Sequence, residues 1–291
     1  MKRLSRVADV RSWVADRRAA GARIGLVPTM GALHRAHLEL VHACRAKADA
    51  VVMSVFVNPL QFGPGEDFER YPRNLERDAA LAAGAGVDLL FTPEVADLYP
   101  AGPALTVDPG RLGAVLEGEL RPTHFRGVAT VVTKLFNICA PHVAVFGQKD
   151  AQQVVVVRSL VREFLWPLEV LCVPTVRDDD GLALSSRNVY LDAAQRRTAP
   201  ELESALAAAV REVEGGERDA TALAGRLRDR LGGVPGGRVD YAAVVAAETL
   251  EPVTAIAGRI LILIAVRFGA TRLLDNACLE VTATGVRAAL P

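Results

Sequence analysis

Two histidines three residues apart, His34 and His37, sit in the segment Pro28-Thr29-Met30-Gly31-Ala32-Leu33-His34-Arg35-Ala36-His37-Leu38. A short apolar run, Ile24 to Val27, precedes them, and Leu38, Val41 and Cys44 follow at helical spacing. A strand, a small-residue loop and a helix spanning Leu33 to Ala48 are expected, with both imidazoles on one face of its first turns. Unpaired amides at such a helix start make an anion site. Imidazoles there can hydrogen-bond a phosphate as its charge develops, so the segment points to nucleotide chemistry. Three more polar groups follow apolar runs: Asn58-Pro59-Leu60-Gln61-Phe62, Phe146-Gly147-Gln148-Lys149-Asp150-Ala151-Gln152-Gln153, and Leu184-Ser185-Ser186-Arg187-Asn188. Two hydroxyls beside a guanidinium are a phosphate-binding combination, and a lysine serves as a point charge on phosphate.

Each group also has a plainer reading. His34 and His37, with His42 and Cys44, could hold zinc, although the spacing is not that of a finger or a His-Glu-x-x-His helix. Asn58 and Gln61 could shape a turn before Pro59, and Asp150 could cap a helix. Asp178-Asp179-Asp180 reads as a solvated turn or a divalent-ion site. No Gly-x-x-x-x-Gly-Lys loop and no nucleophile–histidine arrangement stands out.

The elements that must position these groups alternate. Strands are expected at Ile24–Val27, Ala50–Val57, Val87–Phe91, Val143–Phe146 and Leu168–Val173. Helices are expected from Val7 to Gly21 and at Leu75–Ala83, Val128–Cys139 and Ala151–Phe164. Unbroken apolar strands between helices predict an α/β fold, a parallel sheet covered on both faces, with ligands beyond the carboxyl ends of its strands. The four groups should therefore converge on one edge. After Pro174 the pattern changes to helices (193–213 and 220–231) and two strands (239–245 and 260–266), predicting a smaller α+β domain. The expected domains are residues 1–175 and 176–291.

At 291 residues, with 51% hydrophobic and 23% charged residues, the chain can bury a sizeable core. Its zero formal charge argues against nucleic acid or an anionic membrane as partner. Scattered cysteines without a C-x-x-C pair fit a cytoplasmic protein, and no apolar run is long enough to span a membrane. Of the 34 basic residues only Lys2, Lys47, Lys134 and Lys149 are lysine, which draws notice to Lys149.

These groups, together with Arg121-Pro122-Thr123-His124-Phe125-Arg126-Gly127-Val128 and Thr271-Arg272-Leu273-Leu274-Asp275-Asn276, resemble the motif set of the pantothenate synthetase (pantoate–β-alanine ligase) family, in order and spacing, over nearly the whole chain. The resemblance implies a Rossmann-like nucleotide- and pantoate-binding domain, a smaller C-terminal lid domain and a homodimer. It implies attack of pantoate's carboxylate on the α-phosphate of ATP, followed by displacement of AMP by β-alanine. His34, His37, Lys149 and Arg187 would be catalytic. Met30, Gly31, Ala32, Leu33, Ala36, Gly147, Gln148, Asp150, Val176, Leu184, Ser185 and Ser186 would join them in binding ATP with Mg²⁺. Gln61, Gln153, Asn58 and Arg121 would hold pantoate or β-alanine, and Asp78 would stand near the metal.

The family's His-x-Gly-His is here His34-Arg35-Ala36-His37. A methyl at Ala36 would crowd the nucleotide while suiting the helix. The expectation is an active enzyme with weakened ATP affinity, so that Ala36→Gly lowers the KM for ATP; an unchanged KM would show the methyl to be harmless. Two other classes compete with this reading. A nucleotidyltransferase acting on a phosphorylated acceptor would favour Arg or Lys where Gln61 and Gln153 stand. A catalytically silent binding paralogue has only Ala36 in its favour.

Overall fold

The structure is a computed structural model and describes every residue except Ala101 and Pro103. The chain divides into two compact units, Met1–Gly147 with Val156–Val173, and Gln148–Val155 with Pro174–Pro291. The turn that carries Lys149 thus groups with the C-terminal unit.

The first unit runs β1 (Lys2–Leu4), α1 (Val7–Ala19), β2 (Ile24–Thr29), α2 (Arg35–Arg45), β3 (Ala50–Val55), α3 (Leu75–Gly84), β4 (Leu89–Phe91), α4 (Val95–Leu98), α5 (Glu117–Leu120), α6 (His124–Cys139) and β5 (Val143–Gly147). Helix α7 (Ala151–Glu163) and strand β6 (Glu169–Val173) follow. The six strands are parallel in the order β1-β4-β3-β2-β5-β6. Ile24, Leu26, Val27, Val51, Val52, Met53 and Val143–Val145 are fully buried, as strands covered on both faces require. From β2 the chain builds outward through β3 and β4, then returns to β5 on the other side of β2. The order of strands therefore reverses between β2 and β5, where open parallel sheets bind ligands. The loops after β3 and β2 and the end of β5 issue from this one carboxyl edge.

Helix α2 starts two residues later than its apolar pattern predicts. Gly31 (φ 87°) and Ala32 (φ 51°) are left-handed, and His34 is extended at the cap position. Only His37 lies within the helix.

The second unit contains α8 (Ala193–Thr198), α9 (Glu201–Glu214), α10 (Ala220–Gly232) and strands β7 (Gly237–Ala246), β8 (Gly258–Phe268), β9 (Thr271–Thr282) and β10 (Gly285–Ala288). The strands are antiparallel in the order β10-β9-β8-β7. One face packs Ile260, Ile262, Ile264, Val266 and Phe268 with Leu202, Leu206, Leu223 and Leu227 of α9 and α10 in a single apolar core. The single helix expected over 193–213 is two, because Pro200 lacks an amide and its ring excludes a continuous helix.

Candidate active site

The loop between β2 and α2 is held by α3. The Asp78 carboxylate is 1% exposed and accepts the amides of Ala32 at 2.9 Å and Leu33 at 2.8 Å, one on each oxygen. Arg77 Nη1 donates to the Leu33 carbonyl at 3.2 Å. Charge-assisted bonds of this kind are worth about 1.5–3 kcal/mol each, enough to hold Ala32 left-handed at a cost of about 1–2 kcal/mol. At Gly31 a Cβ would stand 2.9 Å from Asp78 Oδ2 and 2.9 Å from Val55 Cγ1, so this turn admits only glycine.

The clamp delivers the two imidazoles together, with ring centroids 4.1 Å apart. His37 Nδ1 accepts the His34 backbone amide at 3.3 Å. A nitrogen that accepts carries no proton, so the proton of the neutral ring sits on Nε2, which becomes a donor. The resemblance puts Asp78 beside a metal, but its oxygens are committed to loop amides. Among the described residues no group of three or more His, Cys, Asp or Glu could hold an ion. In this structure both Asp78 oxygens serve the loop. The zinc alternative is disfavoured: Cys44 is buried, burial pushes its thiol up to about 12 with the charge of Arg45 opposing, and His42 lies 3.7 Å from Glu39.

After β3, Pro59–Gln61 forms a 3₁₀ turn capped by Asn58. Asn58 is fully buried, and its amide orientation is fixed by backbone: Nδ2 donates to the Gly127 carbonyl at 3.0 Å and Oδ1 accepts from Leu60 at 3.4 Å. Tyr99 adds a hydroxyl donor to Oδ1 at 3.0 Å. Nδ2 then also donates to Gln61 Oε1 at 3.0 Å, which sets the Gln61 NH₂ on the side away from Asn58. The turn reading and the binding reading of Asn58 are thus compatible. Gly127 permits the arrangement, since a Cβ there would lie 2.3 Å from the Leu60 carbonyl oxygen.

Arg121 is tied to this turn. Its Nε and Nη2 donate to Glu66 at 2.8 and 2.6 Å, and Nη2 also donates to the Gln61 carbonyl at 3.1 Å. His124 Nδ1 lies 2.9 Å from the same carbonyl and must be the donor. Burial would raise the Glu66 carboxyl. The hydrogen bond and charge of Arg121, with His124 and the Gly63 backbone, outweigh it and hold the group below the usual carboxylate range. Glu66 and Tyr99 give no signal in the sequence, because their partners lie 55 and 41 residues away. Lys134, another of the four lysines, donates to the Leu98 carbonyl at 2.8 Å and covers the Tyr99 ring.

In the second unit, Gln148–Asp150 is a 3₁₀ turn leading into α7. The Lys149 ammonium rests 3.2 Å from Asp150 Oδ1, and Gln153 is half-buried one turn on. Val176 and Leu184 are joined, the Leu184 amide donating to the Val176 carbonyl at 2.9 Å. Ser185 caps the turn Ser186–Tyr190, its hydroxyl accepting the Arg187 amide at 3.2 Å. The Asp-rich turn is held by Arg196, at 3.1 Å from Asp178 and 2.5 Å from Asp180, so these two carboxylates serve ion pairs.

The pantoate-beta-alanine ligase family matches residues 2–278. The chain belongs to that family. A pantothenate synthetase from Moorella thermoacetica is 53% identical over 281 residues, covering 97% of this chain and 99% of its own. The crystal structure of pantothenate synthetase from Thermus thermophilus has a TM-score of 0.89 at 49% identity, covering 95% of this chain and 98% of that one. A pantoate-beta-alanine ligase from Francisella tularensis, solved with β,γ-ATP and β-alanine, has a TM-score of 0.77 at 32% identity and coverages of 95% and 97%. As a member of the pantoate-beta-alanine ligase family, this chain is an ATP-dependent enzyme that joins pantoate to β-alanine, with the fold of the solved synthetases. Among the described residues no helix is long and apolar enough to cross a membrane.

Proposed function

We propose that the His34–His37 loop is where pantoate is adenylated. The observation that carries this is the fixed His37 ring, whose Nδ1 is occupied by the His34 amide so that Nε2 is a donor at a helix start. Pantoate's carboxylate attacks the α-phosphorus of ATP; a P–O bond forms, and the bond to pyrophosphate breaks. The His34 and His37 imidazoles, the Lys149 ammonium and the α2 amides meet the charge that grows on the phosphate oxygens. Arg187, Ser185 and Ser186 hold the β- and γ-phosphates. Met30, Gly31, Ala32, Leu33, Ala36, Gly147, Gln148, Asp150, Val176 and Leu184 line the nucleotide.

In the second half, the amine of β-alanine attacks the acyl carbon. A C–N bond forms, the C–O bond to AMP breaks, and the amine's proton is lost. Mg²⁺ enters with ATP as a counter-ion to its phosphates rather than on a protein ligand set, and Asp78 is the clamp of the loop. The enzyme works as a homodimer in the cytoplasm; the four buried cysteines, none in a disulfide, suit a reducing compartment.

Gln61 and Gln153 hold pantoate, with Asn58, Arg121 and Glu66 setting the Gln61 turn. Gln61→Ala is therefore expected to raise the KM for pantoate while leaving that for ATP near its parental value. An effect confined to ATP would move Gln61 to another subsite. The overall reaction is tested by following AMP release while ATP, Mg²⁺, pantoate and β-alanine are omitted in turn. Steady release is expected only with all four, and continued turnover without either organic substrate would refute the assignment.

A further inference from the structure

The Thr271–Asn276 motif has no part in the chemistry described so far. Its last two residues lie on β9, Asp275 opposite Ile264 and Asn276 opposite Leu263 of β8. Both are buried, 4% and 3% exposed. Polar side chains inside a sheet must find partners or destabilise it. Asn276 finds its partners on the backbone that carries Lys149. Its Nδ2 donates to the carbonyls of Gln148 at 2.9 Å and Lys149 at 3.0 Å, and its Oδ1 accepts Gln148 Nε2 at 3.3 Å. Both N–H groups of one amide thus go to successive carbonyls of a single turn, which fixes that turn in position and in rotation.

The strand that offers Asn276 is itself pinned. Asp275 accepts the Asn276 backbone amide at 2.8 Å and a two-pronged Arg177 guanidinium at 2.6 and 3.0 Å, while Arg177 also donates to the Gly181 carbonyl at 3.1 Å. Burial works against the Arg177 charge, but the hydrogen bonds and charge of Asp275, with the charge of Glu203, raise its pKa and keep it ionised. The chain of support runs from Arg177 through β9 to the turn of Lys149.

We infer that Asn276 is a positioning residue for Lys149, holding the Gln148–Lys149 backbone so that the ammonium is presented at one fixed place. The inference rests on the reading of Lys149 as a group that stabilises the transferring phosphate. A side chain that acts through Lys149 loses its effect when the ammonium is gone, whereas a side chain that only supports the fold does not.

The test is a double-mutant cycle read by pyrophosphate–ATP exchange in the presence of pantoate. Asn276→Ala is expected to slow exchange roughly 10- to 50-fold, the scale of a misplaced catalytic group, with a thermal midpoint that shows a folded enzyme. In a Lys149→Ala background the same change should cost no more than about 3-fold, because the two residues act as one unit. Asn276→Asp, which sets a carboxylate against two carbonyls, should be slower than Asn276→Ala. If Asn276→Ala does not fold, Asn276→Ser carries the same cycle. Equal losses in the two backgrounds, or a parental rate for the folded Asn276 variant, would overturn the inference while leaving the role of Lys149 intact. A parental rate for Lys149→Ala alone would overturn that role, and the inference with it.

Discussion

Lys149→Ala is expected to slow adenylation by roughly 10²–10³-fold, the scale of losing one preorganised group that meets charge in the transition state. The Lys149 side chain is 21% exposed, and Asp150 Oδ1 is the resting partner of its ammonium at 3.2 Å. Where bound nucleotide displaces water, a point charge acts on a phosphate oxygen with less screening. Lys149→Arg should recover little, because a planar fork spreads its charge and needs more room than an ammonium. Pyrophosphate–ATP exchange with pantoate is the readout. A rate within a few-fold of the parent would remove Lys149 from the transition state.

His37→Ala is expected to cost a similar 10²–10³-fold, roughly, for a different reason: the Nε2 donor is lost. The substitution also strips the cap from the His34 amide, which costs about 1 kcal/mol of stability. The two losses can be separated. In His37→Asn the side-chain oxygen stands near the former Nδ1 and can accept the His34 amide, but nothing replaces Nε2. Stability to denaturant should return while the exchange rate stays low. Recovery of both together would mean that His37 serves only as a cap.

The parts of the fold that are legible in the sequence are those held by local pattern. The strands β2, β3, β5 and β6 are predominantly apolar runs, and such runs between helices specify a parallel sheet whose strand ends carry the polar groups. What is hidden depends on partners distant in sequence. Strand β9 escapes the pattern because Arg272, Asp275, Asn276 and Glu280 interrupt its apolar residues. Two of these are buried, matched by Arg177 and by the Gln148–Lys149 carbonyls about a hundred or more residues earlier. The apolar spacing of α2 extends back to Leu33 and so starts the helix too early. Asp78, 46 residues beyond Ala32, takes the loop amides and turns the chain left-handed first.

The candidate site divides in the same way. Residue types and motif order single out His34, His37, Asn58, Gln61, Lys149 and Arg187. The side chains that orient them are silent. Asp78 attracts attention as a metal neighbour, yet both oxygens hold backbone amides; Glu66 and Tyr99 attract none. A supporting residue is defined by the group it holds, and that group is seldom nearby in sequence.

Two-step chemistry through an acyl adenylate is tested most directly by exchange of labelled pyrophosphate into ATP, measured with each organic substrate alone. Pantoate should be sufficient and β-alanine insufficient, because the carboxylate attacks phosphorus before the amine is needed. Exchange that requires β-alanine, or label that fails to enter ATP when pantoate and Mg²⁺ are saturating, would contradict an enzyme that adenylates pantoate first.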